Sequence, residues 1–260
     1  MIGAIAGDMI GSPYERRPIK HKDFDIRIAS FTDDTVLTLA VAKAILDGDD
    51  YADSIKRFAQ EYHSLPYGRS FRRWMWSWEN KPYNSFGNGS AMRVSPVGFA
   101  FETQADVLEQ AKRSAEVSHN HPEGIKGAQA TALAVFIARK GEGKETIRSE
   151  IAGRFGYDLS RTVDEIRPGY SFDVSCHGSV PESIVAFLDS SSWEDAVKNA
   201  VSMGGDADTM ACIAGGIAQG YYEEMPEDIV SQVRRSLTPD LRDVVDRFCE
   251  TFSCCIHLPT

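Results

Sequence analysis

The 260-residue chain has little of several features that define other protein classes, and each shortage excludes one class of protein. Cations are few, with 28 Lys and Arg against 38 Asp and Glu, so the net charge of −10 argues against a general nucleic-acid binder. No apolar run approaches the roughly 20 residues that a membrane span requires. The apolar N-terminus lacks a basic leader and carries Asp8, so it does not predict a signal peptide.

Cysteine is scarce as well. The chain holds an odd number of cysteines and no Cys-x-x-Cys pair; they are Cys176, Cys212, Cys249, Cys254 and Cys255. Neither a disulfide framework nor a zinc site is indicated by this pattern. We therefore expect a reducing cytoplasm, and we also expect a monomer.

Strand-like alternation is confined to the weak stretch PGYSFDVS, whereas apolar residues recur at helical spacing along most of the chain. No linker of low complexity divides the sequence. We predict one all-α domain over residues 1–260, a compact bundle of helices. The predicted helices are Ile2–Ile10, Asp34–Leu46, Tyr51–Tyr62, Phe71–Trp78, Gln104–Ser118, Pro122–Arg139, Lys144–Phe155, Pro181–Asp189, Trp193–Ser202, Asp208–Tyr222, Pro226–Ser236 and Leu241–Phe252.

Two adjacent carboxylates, Asp33 and Asp34, stand between threonines at the start of the helix in SFTDDTVLTLAVAKAIL. One explanation is local, because Thr32 or Asp33 can cap the helix and acidic side chains favour its positive N-terminal end. A cap needs only one such side chain, however. The second carboxylate therefore asks for a further explanation.

A similar arrangement occurs far along the chain, where Asp206, Asp208 and Thr209 precede another apolar helix in SMGGDADTMACIAGGIAQGYYE. Together the two helix starts offer only oxygen atoms, which Mg²⁺, Mn²⁺ and Ca²⁺ prefer as ligands. If the two segments meet, their carboxylates would repel one another unless a cation lies between them. Four carboxylates suffice for two ions, which would lie roughly 3.5–4 Å apart if they share a ligand. An EF-hand is not indicated, because the rest of its loop is missing.

Four other stretches can carry chemistry or have a purely structural role. The glycine- and asparagine-rich loop in NSFGNGSAMRVSP is typical of a turn, and it can also expose N–H groups to a phosphate at a helix start. His119 and His121 lie in a connection between two helices, where ligand contact is the alternative. Glu15 follows a Gly-Ser-Pro stretch after the first helix, and a surface position is its simplest interpretation. The tryptophans of SFRRWMWSW favour a core or an interface over a base-stacking platform.

Taken together, these motifs resemble the ADP-ribosylglycohydrolase family, which includes the dinitrogenase reductase-activating glycohydrolase. In family order they are GAIAGDMIGSPYE, FTDDT, FGNGSAMRVSP, SHNHPEGIKGA, CHGSVPES and GGDADTMACIAGGIAQGYYE, and the last forty or so residues add none. The resemblance implies an all-α, orthogonally packed bundle with a central two-metal site for Mg²⁺ or Mn²⁺. It also implies hydrolysis of the bond between ADP-ribose and an acceptor, such as a protein side chain.

The resemblance also implies roles for individual residues. The metal ligands would be Thr32, Asp33, Asp34, Asp206, Asp208 and Thr209. Glu15 aligns with a glutamate beside the metals, which closes over the site or acts in catalysis. Either Glu15 or Asp34 would activate the attacking water. The substrate would contact Ser85, Phe86, Gly87, Asn88, Gly89, Ser90 and His119. His121 lies at a more variable position of the family.

One departure from the family pattern and two alternative functions remain. Some members have a catalytic aspartate just upstream of the glycine loop, where this chain has Asn84, Ser85 and Phe86.

The alternatives are a hydrolase of a free conjugate such as O-acetyl-ADP-ribose, and a relative that binds ADP-ribose without turnover. Whether the acceptor is arginine, serine, a nucleobase or a free metabolite is not encoded in these motifs, since acceptor contacts lie on variable loops.

Overall fold

Helices account for the regular secondary structure of this computed structural model, which describes residues 1–254. No strand forms in that range, and a single isolated bridge joins Gly87 to Ser175. The all-α prediction is therefore confirmed. The helices are α1 (Ile2–Glu15), α2 (Asp33–Asp47), α3 (Tyr51–Glu61), α4 (Arg69–Met75), α5 (Gly89–Met92), α6 (Ser95–Ala100), α7 (Gln104–Glu116), α8 (Pro122–Arg139), α9 (Lys144–Phe155), α10 (Val163–Ile166), α11 (Cys176–Leu188), α12 (Trp193–Ser202), α13 (Ala207–Tyr222), α14 (Glu227–Ser236) and α15 (Pro239–Phe252).

Two helices run through prolines that the sequence interpretation had treated as boundaries. Helix α1 was predicted to end at Ile10 but continues through Pro13 to Glu15. Proline has no N–H to donate to the carbonyl four residues earlier. That carbonyl, of Met9, accepts the N–H of Ala29 at 3.2 Å instead. Helix α11 likewise begins at Cys176, ahead of Pro181, because the Ser175 side chain caps its first turn. Glu15 is therefore the last residue of a helix rather than part of a loop beyond it.

Helix α13 lies at the centre of the molecule, with every residue from Ala207 to Gly220 buried. Helix α1 packs against it in the antiparallel sense, with three glycines at four-residue spacing along the contact. A Cβ added to Gly3, Gly7 or Gly11 would lie 2.5, 2.1 or 2.4 Å from a backbone oxygen of α13. Such distances are far below van der Waals contact, so the two backbones can approach this closely only because no side chains separate them.

The tryptophans divide between core and surface. Trp74 is buried on α4, as the core interpretation of SFRRWMWSW predicts, whereas Trp76 and Trp78 are exposed. No helix of the described chain combines the length and apolar character needed to cross a bilayer. Within residues 1–254 the structure contains no disulfide, and Cys255 lies outside the described residues.

Replacing Gly7 with alanine tests the close contact between α1 and α13. We expect Gly7→Ala to lower the melting temperature by about 5 °C or more, because the new methyl group would collide with the α13 backbone and overpacking costs about 1–3 kcal/mol. The matched control is Gly153→Ala on α9, where a Cβ meets nothing within 4 Å. That change should be neutral or stabilising, since alanine favours a helix. Equal melting temperatures for the two variants, measured by circular dichroism, would contradict the packing described here.

Candidate active site

The antiparallel packing of α1 on α13 brings the end of one helix to the start of the other. Glu15, the last residue of α1, therefore lies beside Asp206 and Asp208 at the start of α13. Each of these three side chains offers a carboxylate oxygen, and the three oxygens lie within 4.8 Å of one another. A group of this kind can hold a divalent cation.

The start of α2 is attached to α1 by a carboxylate that the sequence interpretation did not select. Asp8 is fully buried and accepts hydrogen bonds from the Thr32 N–H at 3.0 Å and the Thr32 hydroxyl at 2.7 Å. It also accepts the Thr35 N–H at 3.2 Å and the Thr35 hydroxyl. Asp8 thus satisfies free N–H groups at the α2 N-terminus and sets the position of Asp33 and Asp34. One signal was available in the sequence, namely a lone charge within the apolar, glycine-rich helix IGAIAGDMIG.

Burial and mutual repulsion make these carboxylates difficult to ionise together. Burial, followed by the charge of Asp208, holds the pKa of Asp34 well above its ordinary value. Burial, followed by the charge of Asp206, does the same for Asp208. The pKa of Asp33 rises to about 7, chiefly through burial and then through the charge of Asp8. Burial also raises the pKa of Glu15, with a further contribution from Asp206.

The donor set fits a divalent metal. In the described chain no Lys or Arg forms an ion pair with Asp8, Glu15 or the four aspartates of the two helix starts. The Oδ1 atom of Asp34 is buried without any hydrogen-bond partner. An unpaired carboxylate oxygen in such surroundings is costly, and a bound cation would remove that cost.

A cavity of about 370 Å³ opens above this cluster and joins it to the glycine loop. Several predicted site residues line it: Glu15, Asp33, Asp34, Ser85, Gly87, Asn88, Gly89, His119, Asp206, Asp208 and Thr209. Three others stand outside the lining. Thr32 lies behind the carboxylates in its contact with Asp8, and Ser90 is buried with its hydroxyl donated to the Gly124 carbonyl at 2.7 Å. Phe86 is half-exposed and contacts the rings of His121 and His177.

The glycine loop is held in place by bonds on both sides. The Asn88 side-chain amide donates to Asp206 Oδ2 at 2.7 Å and to the Ser179 hydroxyl at 3.2 Å, so it orients a carboxylate of the cluster. The Asn88 N–H donates to the Val174 carbonyl at 2.8 Å. No side chain caps the start of α5 at Gly89. The first N–H groups of α5, beside the cavity, therefore donate to no capping side chain.

His119 reaches this loop as a neutral donor. Arg93, fully buried, donates to the Ser118 hydroxyl oxygen at 3.0 Å, and that hydroxyl lies 2.8 Å from His119 Nδ1. In the tautomer in which that hydroxyl donates its proton to Nδ1, the other ring nitrogen, Nε2, is protonated and can donate. A Cβ at Gly89 would lie 3.1 Å from Nε2, so the glycine leaves room for the ring. Burial, followed by the charge of Arg93, lowers the pKa of His119 well below its ordinary value.

The segment that follows Glu15 lacks helical structure but is tied to the rest of the molecule. The Lys20 ammonium donates to the carbonyls of Arg167 at 2.9 Å and Met203 at 2.6 Å, and Lys22 pairs with Asp195. Ile19 and Lys20 also contact Gly204, two residues before Asp206. The segment after Glu15 is therefore attached to the segment that carries Asp206 and Asp208.

Comparison with known proteins gives consistent matches. A family model described as ADP-ribosylglycohydrolase matches residues 1–255. ADP-ribosylhydrolase ARH3 of Bos taurus is 27% identical over 87% of this chain and 85% of its own length. ADP-ribosylarginine hydrolase Tri1 of Pseudomonas putida is 24% identical over 90% of this chain and 72% of its own length. A solved structure described as an ADP-ribosylglycohydrolase-related protein complex has the same fold, with a TM-score of 0.74 and 24% identity over 96% of this chain and 95% of that chain.

The buried, neutral state of His119 predicts a pH dependence of stability. In the unfolded chain this histidine binds a proton below a pKa of about 6.5, whereas the folded chain resists it. The contribution of neutral His119 to the free energy of unfolding is therefore present above that pH. It is lost as the pH falls, at up to about 1.4 kcal/mol per pH unit. We expect the free energy of unfolding of wild type to fall more steeply between pH 6.5 and 5 than that of His119→Asn, in urea titrations with EDTA. Parallel pH profiles for the two proteins would contradict a neutral, buried His119.

Proposed function

We propose, from the fact that this chain belongs to the ADP-ribosylglycohydrolase family, that it releases ADP-ribose from modified protein side chains. Its family makes it a glycosidic-bond hydrolase that separates ADP-ribose from an acceptor. The bond broken would join C1″ of the distal ribose to the side chain. The observation that carries the proposal is the meeting of three helix ends, whose carboxylates line one cavity and form no ion pair with a Lys or Arg of the described chain.

Metal dependence is general in the family, and the buried acidic cluster could hold a metal. We propose two Mg²⁺ or Mn²⁺ ions held by Thr32, Asp33, Asp34, Asp206, Asp208 and Thr209. When bound, such ions orient the ribose hydroxyls and supply positive charge that lowers the pKa of water. Support comes from the chemistry of the donor set, which consists of carboxylate and hydroxyl oxygens and has one buried oxygen without a partner.

The diphosphate and ribose of the substrate would lie along the glycine loop, from Ser85 to Ser90. The uncapped N–H groups at the start of α5 and the Nε2–H of His119 are donors suited to phosphate or hydroxyl oxygens. The half-exposed Phe86 ring offers an apolar surface at the same edge. These local donors allow a protein of net charge −10 to bind an anionic ligand.

Hydrolysis needs a group that takes a proton from the attacking water and a group that gives one to the leaving acceptor. Glu15 is suited to the first role, because it is partly buried beside other carboxylates, and burial followed by the charge of Asp206 raises its pKa above the ordinary value. Asp34 is the alternative base. The water oxygen bonds to C1″ as the bond to the acceptor breaks, and the acceptor leaves with a proton. The positive charge that develops on the ribose is stabilised by the surrounding carboxylates.

Two alternative functions differ from this proposal, one in the substrate and the other in the absence of turnover. A free conjugate such as O-acetyl-ADP-ribose would use the same cavity without a macromolecular acceptor. A binding protein without turnover would keep the cavity but lack a functional Glu15 or metal cluster; the presence of Glu15 and the four aspartates in the cavity lining favours the hydrolase. Location in the cytoplasm and a monomeric state remain predictions.

The proposed function is tested with a defined panel of ADP-ribosyl-arginine peptide, ADP-ribosyl-serine peptide and O-acetyl-ADP-ribose, each with Mg²⁺, Mn²⁺ or EDTA. We expect metal-dependent release of ADP-ribose from at least one peptide. Turnover of the acetyl ester alone would favour the free-conjugate alternative, and no turnover of any substrate would favour a binding protein.

Asp208→Asn is expected to abolish that turnover and to remove the heat of Mg²⁺ binding in calorimetry, because one ligand charge is lost while the side-chain shape is kept. The metal-free variant should melt no lower than metal-free wild type, since a buried repulsion has been relieved. The matched control is Asp228→Asn, an exposed first-turn aspartate on α14. Wild-type metal binding by Asp208→Asn would exclude this residue from the site.

Glu15→Gln separates binding from chemistry. We expect the variant to retain its affinity for ADP-ribose while turnover falls by at least about tenfold, the lower range for loss of acid–base assistance. Calorimetry with ADP-ribose and the hydrolysis rate, measured on the same preparations, make the comparison. A normal rate would leave Glu15 without a catalytic role and transfer water activation to Asp34.

A further inference from the structure

A second cavity adjoins the active-site cavity on the side of α4. Its volume is about 330 Å³, and Ser70 and Tyr83 line both cavities. The rest of its lining is Arg73, Trp74, Ser77, Glu79, Lys81 and Pro82. A substrate whose ADP-ribose fills the first cavity would therefore have a path across Ser70 and Tyr83 into the second.

Most of the exposed large apolar side chains belong to the chain segments that line these cavities. In the described part of the chain, the large apolar residues left exposed are Trp76, Trp78, Phe86, Phe172 and Val174. The two tryptophans belong to the segment that encloses the second cavity, and Trp78 is fully exposed. Phe86 and Val174 belong to segments that line the first cavity. Because exposed tryptophan is unusual and is enriched at binding surfaces, this concentration points to a partner.

The same segment carries positive charge that the protein itself does not neutralise. Between positions 69 and 81 there are four cations, Arg69, Arg72, Arg73 and Lys81, against a single carboxylate, Glu79, in a chain of net charge −10. Arg72 is engaged by backbone carbonyls of its own loop. For Arg73 and Lys81, by contrast, residues 1–254 provide neither an ion pair nor a hydrogen bond. An acidic ligand would complement these free cations.

We propose that Arg73, Trp76, Trp78 and Lys81 form a docking surface for an acidic stretch of the polypeptide that carries the ADP-ribose. This inference rests on the proposed function, because it assigns the part of the substrate beyond the scissile bond. The tryptophans would supply apolar contact area, and the two cations would pair with Asp or Glu of the acceptor. The second cavity has room for an acceptor side chain next to the modified residue.

The local extent of the charge favours a polypeptide over other anions. A nucleic acid carries charge along its whole length, whereas the chain outside this segment has more carboxylates than cations. A peptide with two or three carboxylates matches the size of the surface and ends where the positive charge ends. At physiological ionic strength the interaction would be confined to roughly 8 Å, so neighbouring contacts decide specificity.

The test compares three substrates with the linkage that the panel identifies: an ADP-ribosylated peptide with three flanking acidic residues, the same peptide with Asn and Gln in their place, and the ADP-ribosylated amino acid alone. We expect Trp78→Ala and the double variant Arg73→Ser/Lys81→Ser each to lower kcat/KM for the acidic peptide by about tenfold, through KM. The ADP-ribosylated amino acid should be turned over at the wild-type rate. The control is Arg235→Ser, which removes an exposed cation on α14.

Several results would overturn the docking surface while leaving the hydrolase intact. These are equal losses on all three substrates, no loss on any, or a loss that appears only with an ADP-ribosylated oligonucleotide. A change in the oligomeric state of Trp78→Ala in sedimentation experiments would assign the surface to a second copy of the chain. Failure of wild type to hydrolyse even the ADP-ribosylated amino acid would instead refute the proposed function, so the two failures are distinct.

Discussion

The site depends on the contact between α1 and α13, where two backbones pack without intervening side chains. Gly3, Gly7 and Gly11 allow this approach, and the antiparallel sense of the contact determines which residues meet at its end. Glu15 leaves α1 at the point where Asp206 and Asp208 enter α13. A bulkier residue at any of the three glycines would separate the helices and with them the carboxylates. The glycines are thus as important to the chemistry as the acidic residues.

The closeness that builds the site also creates an electrostatic problem. Six carboxylates, including the wholly buried Asp8, share one region and form no ion pair with a Lys or Arg of the described chain. Asp8 is stabilised by four hydrogen bonds from Thr32 and Thr35, which the start of α2 supplies. The other carboxylates accept fewer hydrogen bonds, such as the one from Asn88 to Asp206, and burial raises the pKa values of Asp34 and Asp208. A bound divalent cation would offset the repulsion between these carboxylates. Without a cation the repulsion persists, because the helix ends hold the carboxylates close together.

The two sides of the cavity differ in a way that matches the two parts of an ADP-ribosylated acceptor. The side of the glycine loop offers N–H donors and the neutral His119, which Arg93 and Ser118 orient. The side of α4 carries exposed tryptophans and unpaired cations next to a second cavity. Rigid helices position the reacting centre, whereas irregular segments surround it. Selection of the acceptor can therefore change without disturbing the site itself.

Local pattern by itself determined the helical class, most helix positions and the two acidic helix starts, because helical spacing and N-caps are encoded within a few residues. The six motifs together also indicated the family. Tertiary structure decided the rest. It extended α1 through Pro13, since the distant Ala29 N–H donates to the carbonyl that proline leaves without its usual helical partner. Tertiary contacts also bring the Asp8 carboxylate to Thr32 and the Asn88 side-chain amide to Asp206. They bury Trp74 and leave Trp78 exposed. Each of these outcomes depends on a residue far along the chain, and short-range periodicity carries no information about such contacts.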